Sequence, residues 1–80
     1  MFVENLKINA AYHVILTDGD GIVNIRHCTY LGIEQNYFLF EDNETKEPYY
    51  LFETDGFVYD SVQDAVAGAL FLFDAIEELT

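Results

Sequence analysis

Apolar and polar positions alternate with a period of two along the first three quarters of the chain, then shift to a helical period near residue 62. Residues 11–17 (Ala-Tyr-His-Val-Ile-Leu-Thr) are rich in β-branched and aromatic types and read as a strand. Asp18-Gly19-Asp20-Gly21 follows as a turn, and a second strand is expected from residue 22 to about 31. Its odd positions (Val23, Ile25, Thr29, Leu31) form the more apolar face, with Asn24 and Arg26 on the other. Residues 32–36 read as a second turn. Residues 37–41 read as a third strand with Phe38 and Phe40 on one face, and residues 42–48 as a polar hairpin loop. A fourth strand over 49–53 turns at Thr54-Asp55-Gly56 into a short fifth at 57–59. Residues 2–8 fit a short helix and an edge strand equally.

The last segment starts at Ser61, an N-cap residue with Asp64 three positions on. At 100° per residue, Val62, Ala65, Val66, Ala69, Leu70, Leu72, Phe73, Ile76 and Leu79 fall on one broad apolar arc. Gln63, Asp64, Asp74, Glu77 and Glu78 fall opposite, and Phe71 is the apolar exception on that acidic side. The predicted fold class is α+β: a four- to five-stranded antiparallel meander sheet with one C-terminal amphipathic helix packed on it. Residues 1–80 form a single acidic domain in this reading. Curling of the sheet into a small SH3-like barrel is the alternative, less favoured because so wide an apolar arc calls for a sheet to cover it.

Charge changes the picture more than any motif does. The 80 residues carry 15 carboxylates against 3 Lys+Arg, a net charge of −12 at pH 7. A net magnitude of roughly 2–8 keeps a small domain soluble, and the excess works against the compact state through self-repulsion. Hydrophobic residues still make up 51 % of the chain, enough to build a core and too many for a disordered acidic tail. The acids are concentrated: residues 1–40 hold four against Lys7 and Arg26, whereas residues 41–80 hold eleven against Lys46. Such a surface repels nucleic acid and anionic membranes, and no apolar run approaches the ~20 residues that span a bilayer. The single cysteine, Cys28, excludes an internal disulfide. With no signal-peptide pattern at the start, a reducing cytoplasm is the expected setting.

Candidate chemistry is thin. Asp18, Asp20 and Gly21 resemble the opening of a calcium loop, but the twelfth position is Thr29 where a bidentate Glu is required. His27-Cys28 beside His13 suggests soft metal ligation only superficially: adjacent strand residues point to opposite faces, so His27 and Cys28 do not easily share one ion, and structural roles are expected. Carboxylates abound without any pair being singled out for acid–base work. Asn43-Glu44-Thr45 fits the glycosylation pattern only by chance if the chain is cytoplasmic. No enzyme, cofactor or metal is therefore expected.

A non-enzymatic inhibitor or adaptor is the leading expectation, engaging a basic, nucleic-acid-binding protein through carboxylates spaced like phosphates. The expected partner-binding residues are Glu41, Asp42, Glu44, Glu47, Glu53, Asp55, Asp60, Asp64, Phe71, Asp74, Glu77 and Glu78. The chain is similar in size and acidity to phage antagonists of host defence such as anti-CRISPR proteins, although no shared motif carries that likeness. Two other readings stand beside it: a homodimer formed through the C-terminal helix and Phe71, and an SH3-like peptide-recognition domain using Tyr49, Tyr50 and Tyr59.

Overall fold

A computed structural model describes residues 5–72. Five strands and a helix follow in order: β1 (Ala11–Thr17), β2 (Val23–Glu34), β3 (Tyr37–Asp42), β4 (Pro48–Leu51), β5 (Val58–Tyr59) and α1 (Val62–Leu72). The sheet is antiparallel with strand order β4-β3-β2-β1-β5. It is a meander whose last strand returns to pair with the first. The expected α+β meander with one packed helix is therefore the observed architecture.

Turn chemistry sets the registers. Asp18 Oδ1 accepts hydrogen bonds from the backbone N–H of Asp20 (2.9 Å) and Ile22 (3.0 Å), so the first turn satisfies itself and needs no ion. The second reversal is tighter than expected. β2 runs on to Glu34 and only Gln35 and Asn36 turn, both with positive φ (52° and 71°), the conformation that matches strand twist in a two-residue hairpin. Gly32, expected in that turn, instead sits in the strand at a bulge between Tyr30 and Gly32, where its φ of 113° suits a residue without Cβ. Of the ambiguous segment 2–8, residues 2–4 lie outside the described residues and residues 5–8 form neither a helix nor a strand; they belong to an irregular lead-in to β1, tied down where Asn9 N–H donates to the Tyr30 carbonyl at 2.7 Å.

Cross-strand partners share a face, and the registers therefore define two faces. One carries Tyr12 and Val14 (β1), Cys28 and Tyr30 (β2), Phe38 and Phe40 (β3), Leu51 (β4) and Val58 (β5). These form the main core, in which Val14, Cys28, Phe40 and Val58 are fully buried. Leu51 and Val58 lie on the two strands at opposite edges of the sheet yet join one cluster, so the sheet bends around this face. The expectation that the odd face of β2 is the more apolar one holds for Val23 and Ile25, which pack under the helix, and is corrected for the far half of the strand. The even residues Cys28 and Tyr30 enter the core, while Leu31 stays exposed.

The helix lies on the other face, over β1, β2 and β5. Ser61 caps it as expected, its Oγ accepting from the Asp64 N–H at 3.1 Å. The contact stripe is made of small residues: Ala65 is fully buried against Ile15 and Tyr59, with Ala69 beside it. Gly68 sits so close to the Tyr59 ring that a Cβ there would overlap it. This stripe runs along one margin of the apolar arc, not its centre. Val62, Val66 and Leu70 consequently remain 51 %, 45 % and 43 % exposed, so the sheet covers only part of the apolar arc. Phe73, Ile76 and Leu79 lie outside the described residues.

Candidate binding surface

The hairpin between β3 and β4 carries Glu41, Asp42, Glu44 and Glu47 of the expected acidic surface, and its anchor is one of those acids. Asp42 ends β3 facing inward and is 1 % exposed. Its carboxylate accepts from Arg26 Nε at 2.6 Å, from the backbone N–H groups of Glu44 (2.8 Å) and Thr45 (3.1 Å), and from Tyr49 Oη at 3.3 Å. The Arg26 hydrogen bond, helped by the two backbone N–H groups, holds the Asp42 carboxyl well below the usual carboxylate range against the opposing effect of burial. Backbone bonds close the loop: Lys46 N–H to the Asp42 carbonyl and Asp42 N–H to the Glu47 carbonyl, both 2.9 Å, with Lys46 at positive φ. The expected partner-binding role is corrected for Asp42. It is neutralised from within and withdrawn from any partner, because desolvating it without Arg26 would be too costly.

The other expected residues divide. Glu44, Glu47, Glu53, Asp55 and Asp60 are exposed, and Glu41 is half-buried on the outer face of β3. Glu44 also approaches Arg26 at 3.9 Å. Asp64 is half-buried, and its charge, after burial itself, helps raise the Tyr59 hydroxyl above its ordinary range. Phe71 is 84 % exposed, as its place on the acidic side of the helix implies. Asp74, Glu77 and Glu78 lie outside the described residues.

The tyrosines expected to form a peptide groove do not act together. Tyr59 is buried with its hydroxyl donating to the Gly56 carbonyl at 2.7 Å, and Tyr49 is half-buried and turned toward Asp42. Tyr50 faces outward, and there it meets two rings that the sequence reading did not single out. Tyr37 packs edge-on against Tyr50 with centroids 6.4 Å apart and stacks on Phe52 at 5.4 Å. All three are exposed, Phe52 to 80 %. The signal was present in the alternation: Tyr37 shares the outward phase of β3, and Tyr50 and Phe52 are two residues apart.

Carboxylates neighbour this aromatic patch through strand pairing and along the chain. Glu34 is the cross-strand partner of Tyr37, Glu53 follows Phe52, and Glu41 lies further along the outer phase of β3. Glu34, Glu53 and Asp55 have no cationic partner among the described residues. β4 beside it is an edge strand, paired to β3 alone.

Groups with chemical potential are otherwise dispersed. Cys28 is fully buried between strands, and burial, with the nearby Asp42 charge, pushes its thiol up to about 12, so it is no nucleophile in the folded chain. His13 and His27 stack on the helix side of the sheet with centroids 4.7 Å apart. Burial, then the neighbouring His27, lowers the pKa of His13. No group of three His, Cys, Asp or Glu suited to a metal ion occurs among the described residues, and no described helix is long and apolar enough to cross a membrane. Comparison of the chain with protein-family models, curated proteins and solved structures finds no match.

Proposed function

We propose that the chain is a non-enzymatic binding protein that captures a basic protein on the outer face of β3 and β4. The observation that carries this reading is the exposed Tyr37–Tyr50–Phe52 cluster, beside which Glu34 (by strand pairing) and Glu53 (along the chain) make no ion pair among the described residues. Exposed rings of this size are rare on a monomer surface unless something covers them, and aromatic anchors within a polar rim are a recurrent interface design. The rim selects for positive charge: Glu34 and Glu53 attract Lys or Arg, and a guanidinium can also lie over a ring face. With a net charge of −12, the field of the whole chain steers a cationic partner toward it. A basic protein that normally holds nucleic acid is the partner class that best suits such a field, and inhibition by occupying its polyanion site is the mode we favour.

The test is capture of partners by the wild-type chain and by a Tyr50→Ser/Phe52→Ser variant, which keeps every charge. Wild type should retain a basic nucleic-acid-binding protein that elutes with salt and is displaced by a DNA or RNA duplex. The variant should lose it. Retention of the same partner by the variant refutes the role of the rings. A partner that neither salt nor duplex displaces refutes polyanion mimicry.

A further inference from the structure

We propose that His13 and His27 together form a binding site for a divalent late-transition-metal ion such as Zn²⁺. The two residues are direct cross-strand partners on β1 and β2, so their side chains project from the same face. Their rings stack at 4.7 Å with an interplanar angle of 15°. Neither imidazole makes a hydrogen bond among the described residues, which leaves ring nitrogens available on both. Both rings line an open groove of about 470 Å³ between the β3–β4 hairpin and the start of α1, walled by Asn43, Glu44 and Val62.

Neutral imidazole is the commonest protein ligand for such ions, at a metal–nitrogen distance of about 2.0–2.1 Å. A tetrahedral ion therefore takes both only when the two nitrogens come within about 3.4 Å of each other with their in-plane lone pairs converging. The nearly parallel rings, with centroids 4.7 Å apart, do not converge in this way as they stand, so binding requires the exposed His27 to rotate about its side-chain bonds until one nitrogen of each ring faces the ion. Arg26, which also lines the groove, is opposed by Asp42 at 2.6 Å and Glu44 at 3.9 Å, which offsets its repulsion of an ion there. Cys28 takes no part, being buried on the opposite face of β2. Two protein ligands leave the remaining positions to water, giving a site that exchanges its ion readily. This site is separate from the aromatic patch proposed for the partner.

The test is titration of the full-length chain with Zn²⁺, following the imidazole and backbone resonances, with Mg²⁺ in parallel because that ion prefers carboxylate oxygen. The expected result is a shift of both histidine rings together, saturating at one ion, produced by Zn²⁺ and not by Mg²⁺. His27→Gln should weaken the binding by about tenfold or more, the scale on which even supporting groups of a metal site matter. His13→Gln should do the same, and the metal-free spectrum of each variant reports whether it is folded. Equal Zn²⁺ affinity in wild type and a folded His27→Gln overturns the proposal, as do shifts confined to the carboxylates or reproduced by Mg²⁺.

Discussion

Gly68→Ala is the sharpest test of how the helix meets the sheet, because it reverses the sign that helix propensity alone would give. In an exposed helix interior, Ala in place of Gly stabilises by about 1 kcal/mol. At position 68 a Cβ falls inside contact distance of the Tyr59 Oη and Cζ and 2.9 Å from its Cε2. Tyr59 has little freedom to retreat: it is 6 % exposed, packed on Ala65, and hydrogen-bonded through its hydroxyl to the Gly56 carbonyl. Forcing an extra carbon into a packed contact costs about 1–3 kcal/mol, and losing the Tyr59 hydrogen bond costs about 1 kcal/mol more. After subtracting the propensity gain, the net expectation is a destabilisation of roughly 1–3 kcal/mol. For a domain of this size that lowers the Tm by roughly 5–20 °C. Thermal unfolding followed by far-UV circular dichroism measures it. Ala67→Gly, on the exposed side of the same turn, calibrates propensity alone at about 1 kcal/mol. If Gly68→Ala raises the Tm, the helix does not approach Tyr59 as described and the small-residue stripe has no packing role.

Asp42→Ala should cost about 3 kcal/mol by removing a buried acceptor shared by two backbone N–H groups and two side chains, read as a loss of denaturant midpoint. Glu44→Gln, at a carboxylate whose side chain is 86 % exposed, should stay within about 0.5 kcal/mol; equal effects at the two positions would contradict the anchoring role. Two pH windows follow from the shifted groups. His13 resists protonation in the folded state, so its contribution is complete above pH ~6.5 and declines as pH falls through that value. The contribution of Asp42 is complete above pH ~4 and is lost only below it, as the solution approaches its depressed folded value. His13→Gln should flatten the first window in a pH series of unfolding curves and leave the second. Cys28 should react with a thiol reagent no faster than the chain unfolds, and rapid stoichiometric labelling of the native chain would show that β2 is not closed over it.

Much of the fold was legible because its signals are local. The alternation around Tyr12, Val14, Phe38 and Phe40, the Asp-Gly turn after β1 and the Ser61 cap each specify their element within a few residues. What was missed depends on contacts between distant segments. β2 is apolar on both faces over different parts of its length, because the helix covers Val23 and Ile25 while the main core takes Cys28 and Tyr30. Periodicity alone does not divide a strand in this way. The helix contact was mislocated because an arc drawn by hydrophobicity gives weight to Val66 and Leu70, whereas close approach to Tyr59 selects Ala65 and Gly68. The same limit applies to the candidate surface. Negative charge was visible as a total, but the withdrawal of Asp42 needs Arg26, sixteen residues away, and the ring cluster needs Tyr37 brought to Tyr50 and Phe52 by strand pairing.

The fastening of the β3–β4 hairpin from its inner end separates two demands that usually compete for the same residues. One hidden carboxylate keeps the loop in shape, so the exposed side chains at positions 44 and 47 are largely left to meet what approaches from solution, with Glu44 touching the framework only at its long contact to Arg26. Under pressure from a changing target, a lineage can rewrite those outward positions, altering which molecules are attracted, while inheriting its framework intact.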